Sequence, residues 1–352
     1  MKRLASVFVW WLGLAACAAP LVEETARAEE PTVSRSRLLK QCIREKVVAA
    51  ADLQKYGLRL DDNWQQVSPT CDVVILLHGL NSTPESNGAL LDPVRAADFP
   101  CGVFNYPNDH CLCDSAKLLA QELGEFASRN PGRGVSLLAH SMGGLVARAC
   151  IEDRTLDPGN VRRLVMIAPP THGSLLAQAA VGLDLYEHGL KFGRGGFRAS
   201  IADGLCEAPD DMQPGSAFLT ELNARQRNAK TRYTILLGTG AVMRGWELAL
   251  SRKMIYASAR KVPYLRKKAG HIDEILADLD EIVAGRGDGA VAVKRGRLEG
   301  VDDTVLVDFK HLSVTGPAET DEIRQVHSIV LSLKEVSDVE SASGIARRSR
   351  GD

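Results

Sequence analysis

The sequence predicts an α/β fold with a mostly parallel central sheet flanked by helices, and three observations carry that expectation. The run Val73-Val74-Ile75-Leu76-Leu77 is apolar on both faces, as a strand covered from both sides must be. Further strand-like runs alternate with segments whose apolar residues recur at helical spacing. Finally, Ser141 stands at a junction between such a strand and such a helix.

Taken in order, the chain begins with Lys2 and Arg3, an apolar run from Leu4 to Leu14 and then small residues, the three-part plan of a secretory signal. Residues 1–28 are therefore expected to be absent from the mature fold of an exported protein. Two processing sites compete: Leu14-Ala15-Ala16-Cys17, which is similar to a lipobox whose Cys17 is lipidated, and Ala26-Arg27-Ala28, which suits an ordinary signal peptidase. A third reading leaves the run uncleaved as a short anchor. Residues 29–70 form a polar N-terminal extension with a basic helical segment near 36–50.

After Val73–Leu77 come a weaker strand at 102–106, a helix over 116–126 ended by Asn130-Pro131-Gly132, and a strand at 135–139. A helix at 145–150 and strands at 164–167 and 233–237 follow, and a strand at 304–309 and a helix at 319–333 close the pattern. Insertions at about 175–232 and 241–286 interrupt it and are read as lid-like. The α/β domain is thus expected over 71–335, with 336–352 a disordered tail.

Composition narrows the function. With 43 basic against 44 acidic residues, 45% hydrophobic content and a net charge of −1, nothing points to nucleic acid, and outside the N-terminus no run is long enough to span a bilayer. Cysteines 42, 71, 101, 111, 113, 150 and 206 follow Cys17, an odd number that leaves at least one thiol unpaired in an oxidising compartment. A bridge among Cys101, Cys111 and Cys113 is expected from their proximity. A metal there is not, because no second Cys or His pair stands at zinc-site spacing.

The segment that carries chemistry is Leu137-Leu138-Ala139-His140-Ser141-Met142-Gly143-Gly144-Leu145. A serine raised on a sharp strand-to-helix turn needs small residues two before and two after it, here Ala139 and Gly143. The helix N-terminus behind it favours developing negative charge. A transition-state oxyanion needs two preset N–H donors, and Met142 with Leu80 in His78-Gly79-Leu80-Asn81 are the candidates. His78 is read as packing and orienting that loop. The order serine, acid, histidine then points to Asp288 in Gly287-Asp288-Gly289 and to His311 after the last strand. His311 would take the serine proton and Asp288 would hold its tautomer. Asp302, Asp303 and Asp308 are fallback acids, and a turn aspartate is the plainer reading of Asp288. His327, inside the last helix, reads as a core or face residue, His172 is explained by the loop it belongs to, and His110, His188 and His271 lack a supporting context and are expected to face solvent.

Together with Ala168-Pro169-Pro170-Thr171-His172-Gly173-Ser174 and Asp211-Met212-Gln213-Pro214-Gly215-Ser216-Ala217-Phe218-Leu219, these blocks resemble the bacterial lipase and esterase branch of the α/β-hydrolases that includes the GPI-inositol deacylase group. The resemblance spans most of 72–334. It implies an α/β-hydrolase fold and cleavage of a carboxylic ester, commonly of a lipid, by acylation of Ser141 and release by water. No cofactor and no metal are implied, because the activated serine does the covalent chemistry. The chain departs from the pattern at Ala139 and in the long cationic insertion at 241–286, where Lys253, Arg260, Lys261, Arg266, Lys267 and Lys268 form either a solvated face or a surface for anionic headgroups at a membrane. A thioesterase or acyltransferase could use the same three residues, and a binding protein could keep the fold without catalysis.

Overall fold

The structure, a computed structural model, describes residues 56–67, 71–107, 110–176, 208–241, 243–259, 279–316 and 320–331. The expected signal, the helical segment near 36–50, Cys17, Cys42, Cys206, His188, His271, the tail and much of both insertions lie outside these residues.

Seven strands form one sheet: β1 (Gly57–Leu60), β2 (Val73–Leu77), β3 (Cys101–Asn105), β4 (Val135–His140), β5 (Val161–Ile167), β6 (Arg232–Gly238) and β7 (Thr304–Val307), in the order β1-β3-β2-β4-β5-β6-β7. All neighbours are parallel except β1 and β3. Parallel strands require crossovers, and the helices that make them cover both faces. One is α1 (Asp92–Ala96), then α2 (Leu112–Arg129), α3 (Met142–Ile151), α4 (Ala208–Asp211), α5 (Ala217–Ala224), α6 (Gly245–Ala259), α7 (Val293–Gly296) and α8 (Asp321–Leu331).

The period of two along each strand sorts side chains between two cores. Val73, Ile75 and Leu77 of β2, Leu137 and Ala139 of β4, and Ile235 and Leu237 of β6 pack with Leu119 and Leu123 of α2, Leu145 and Val146 of α3, and Leu219 and Leu222 of α5. Val74, Leu76, Leu138, Val165, Ile167 and Leu236 face the other way, onto Val94 of α1 and Val326 and Val330 of α8. Helix α3 is buried along its whole length, so its one charged side chain, Arg148, has to be paired. Its guanidinium meets Glu152 at 3.1 and 3.2 Å and Asn223 at 3.0 Å.

The sheet reaches beyond the strands legible in the sequence. β1 lies in the segment read as an N-terminal extension and pairs Leu58 with Phe104. Its four residues alternate too briefly to signal a strand, and long-range pairing holds it: Leu58 and Leu60 lean on the core, and the Leu58 N–H donates to Glu122 at 3.1 Å. At the far edge β7 stops at Val307, short of the expected Phe309.

Cysteines 71, 101, 111, 113 and 150 form no disulfide, which corrects the expected bridge among 101, 111 and 113. The sheet separates Cys101 from the other two. Cys101 sits in the core beneath α1 and α8 and donates to the Phe99 carbonyl at 3.3 Å, whereas Cys111 and Cys113 open α2 on the opposite face and hydrogen-bond to each other. Among the described residues no helix is long and apolar enough to cross a membrane.

Candidate active site

Ser141 joins β4 to α3 with φ 53° and ψ −122°, a conformation that a residue with a side chain adopts only when its surroundings enforce it. Two hydrogen bonds do so: the Ser141 N–H donates to the Ile167 carbonyl at 2.8 Å, and the Ser141 carbonyl accepts from Gly144 N–H at 3.0 Å. The turn also needs Gly143. A Cβ there would stand 2.7 Å from the His78 carbonyl oxygen and 2.9 Å from that of Leu77. The loop after β2 and the start of α3 thus meet in direct backbone contact.

The structure brings Ser141, His311 and Asp288 together. His311 Nε2 lies 3.0 Å from Ser141 Oγ, and His311 Nδ1 lies 2.8 Å from Asp288 Oδ2. A buried carboxylate can only accept, which puts the imidazole proton on Nδ1 and leaves Nε2 bare to receive the serine hydroxyl. The other carboxylate oxygen, Asp288 Oδ1, accepts the N–H groups of Ala290 at 2.9 Å and Val291 at 2.8 Å, and the His311 N–H donates to the Asp288 carbonyl at 2.9 Å. Both Asp288 and His311 are buried, and Ser141 is only 8% exposed.

Each position follows from a strand end. Ser141 follows β4, His311 follows β7, and Asp288 lies in the long connection from β6 to β7, all at the carboxyl edge where parallel sheets present their loops. Gly238, at the end of β6, lets the acid loop close in, since a Cβ there would be 2.6 Å from that of Asp288. Behind that loop a buried ion pair, Arg295 to Glu281 at 2.8 Å, acts as a strut, and Ser174 Oγ donates to the Ala290 carbonyl at 2.6 Å. The block at 168–174 therefore serves to brace the acid. His172 N–H donates to the Arg295 carbonyl at 2.7 Å, and its exposed ring lies beside Asn223.

Of the two expected oxyanion donors, Met142 is the first residue of α3, where an N–H has no acceptor within the helix. Leu80 is half-buried, in the loop after β2. The His78 ring stacks on Tyr106 with centroids 4.2 Å apart, its Nδ1 lies 3.0 Å from the Gly79 carbonyl, and the Tyr106 hydroxyl donates to the His78 carbonyl. Burial holds His78 below the usual imidazole range, so it stays neutral. The rival acids Asp302, Asp303 and Asp308 do not reach His311: the Asp303 carboxylate takes the Thr234 hydroxyl at 2.7 Å instead. His327 lies on α8, on the face away from Ser141, buried against the α1 side.

The roles of Tyr106, His140, Glu281 and Arg295 were not legible in the sequence. His140 alone carried a signal, its place beside the serine. Among the described residues no group of three or more His, Cys, Asp or Glu side chains converges as metal ligands do.

Residues 44–191, less than half of the chain, match a family described as a domain of unknown function, DUF7379. No curated protein matches the sequence. Among solved structures, the chain is similar to the lipase BlEst2 of Bacillus licheniformis in its mature form, with a TM-score of 0.53 and 18% identity over 78% of this chain and 97% of that one. The propeptide form of the same lipase gives a TM-score of 0.51 and 19% identity over 76% of this chain and 52% of that one. The fold is that of the α/β-hydrolases. In this chain the loops at the carboxyl edge of the sheet bring Ser141, His311 and Asp288 into one hydrogen-bonded line.

Proposed function

We propose that this chain is an exported serine ester hydrolase, a lipase or carboxylesterase, that works through an acyl-enzyme on Ser141. The observation that carries the reading is the continuous hydrogen-bonded line from Ser141 Oγ through both nitrogens of His311 to Asp288. His311 Nε2 takes the serine proton as Oγ attacks the ester carbonyl, and the imidazolium so formed faces the Asp288 carboxylate. The tetrahedral oxyanion is received by the N–H groups of Met142 and Leu80, with the N-terminus of α3 behind it. Collapse releases the alcohol, which takes its proton from His311. Water then attacks the acyl group by the same route and frees the acid. The activated serine supplies the covalent step, so no cofactor or metal enters it.

The α/β-hydrolase fold supports ester chemistry, and the blocks similar to the lipase and esterase branch favour a lipid or other carboxylic ester over a thioester. Export, by secretion or through a lipid on Cys17, rests on the N-terminal pattern alone, and a seat at a membrane surface on that pattern and on the cationic residues within 241–286.

The test is hydrolysis of p-nitrophenyl esters from acetate to palmitate, with fluorophosphonate labelling, by the wild type and by Ser141→Ala, Asp288→Asn and His311→Ala. Each substitution is expected to lower kcat on the order of 10³-fold or more, with label lost in Ser141→Ala. Turnover that persists in Ser141→Ala overturns the assignment of the nucleophile. A folded wild type that cleaves no ester and takes no label points to a binding protein.

A further inference from the structure

We propose that His140 is a positioning residue whose imidazole fixes the backbone of the loop carrying His311 at its working distance from Ser141, an inference that rests on the triad reading above. His140 ends β4, directly before Ser141, and is buried. Its Nε2 lies 3.1 Å from the His311 carbonyl oxygen, an acceptor only, so Nε2 carries the ring proton and donates. The His311 main chain is then held at both ends, its N–H by the Asp288 carbonyl at 2.9 Å and its carbonyl by His140. On its other edge the His140 ring abuts the loop after β2, since a Cβ on Gly79 would stand 3.1 Å from His140 Nδ1 and 3.1 Å from Ser141 Cβ. One imidazole therefore spaces the loop of the proposed base from the loop of the proposed oxyanion donor, with the nucleophile attached to it.

Two further facts support a function over simple packing. His140 Nδ1 is buried and has no hydrogen-bond partner among the described residues. An apolar ring of similar size would avoid that unpaired atom, so the Nε2 donor is what an imidazole adds at this position. The ring is also neutral: burial first, and then the charge that His311 or His78 would carry nearby, hold His140 well below the ordinary imidazole range. The His311 ring lies 4.9 Å from that of His140, centroid to centroid, so the imidazolium of the transition state forms beside a group that stays neutral.

The experiment compares full-length wild type, His140→Phe, which fills the volume without a donor, and His140→Gln, whose side-chain N–H can reach the same carbonyl. The readouts are ester kinetics, the second-order rate of fluorophosphonate labelling, thermal unfolding, and the low-field proton resonance of the His311 Nδ1–H shared with Asp288. In His140→Phe, kcat and labelling should fall about tenfold to hundredfold with KM within about twofold, and the low-field signal should shift or broaden. His140→Gln should restore most of the rate and the resonance. Wild-type kcat, labelling and resonance in His140→Phe would overturn the proposal, as would equal losses in both variants that track unfolding temperature. If the wild type itself neither cleaves esters nor takes label, the ester-hydrolase reading falls, while the resonance in the three proteins still decides whether His140 positions His311.

Discussion

Gly143→Ala puts the elbow to a quantitative test. The added methyl carbon would lie 2.7 Å from the His78 oxygen, about 0.7 Å inside the 3.4 Å at which ordinary contact begins, and 2.9 Å from the Leu77 oxygen. Both obstacles are backbone at the end of a central strand, so neither can rotate away. The strain must appear as separation of α3 from the loop after β2, which are the two elements proposed to supply the oxyanion donors. Overpacking of this kind costs about 1–3 kcal/mol, which for a domain of this size lowers the unfolding temperature by roughly 3–10 °C. A displacement of several tenths of an ångström between Met142 and Leu80 should lower kcat about tenfold to hundredfold, with a small change in KM. The assay pairs thermal unfolding with p-nitrophenyl butyrate kinetics at a temperature where the variant is folded. Gly124→Ala is the control: it lies within α2, a Cβ there meets nothing within 4 Å, and the gain in helix propensity should stabilise the protein by about 0.5–1 kcal/mol. If Gly143→Ala keeps the wild-type unfolding temperature and kcat, the close approach of strand and helix is not the constraint that defines this site.

Two other outcomes follow from the same geometry. Tyr106→Phe deletes the hydroxyl that donates to the His78 carbonyl and leaves the stack on His78 in place, so kcat should fall about tenfold through a looser oxyanion loop while secondary structure is unchanged; full activity in that variant would remove Tyr106 from the picture. Stability should depend on pH through the buried imidazoles. His78 and His140 are held neutral by burial, whereas the unfolded chain protonates them below about pH 6.5. The unfolded state then binds more protons, so stability is intact above that pH and declines as the pH falls toward the lowered native values, by up to about 1.4 kcal/mol per pH unit for each group. Urea unfolding at pH 7.0, 6.5, 6.0 and 5.5 should show this decline, and His140→Phe should make it shallower; identical slopes in the two proteins would contradict the assignment.

The parts of the fold written in short-range pattern were legible in the sequence. β2 announces itself because all five residues are apolar and buried, and α2 because Leu119, Leu123 and Phe126 recur at helical spacing. The elbow was readable because its chemistry is local: strand, serine, glycine and helix are contiguous. β1 was not, because its partner in β3 lies more than forty residues away and four residues carry too little alternation to register. Cysteine proximity in sequence likewise misled, since a sheet runs between Cys101 and the pair at 111 and 113. His140 and Tyr106 were invisible as participants for a related reason. Their hydrogen bonds reach partners 171 and 28 residues away, and only the assembled sheet sets those distances.

The strand order has a bearing on when the chain becomes reactive. β2 to β5, which seat Ser141 and its helix, are complete by Ile167, but Asp288 and His311 belong to polypeptide that is made much later and ends on β7, at the open margin of the sheet. A chain that stops short of β7 therefore carries Ser141 without His311. The hydrogen-bonded line from Ser141 to Asp288 needs the segment after the strand that pairs with β6 along Ile235 to Gly238. In the proposed hydrolase the last strand to be made is thus the one that completes the reacting line.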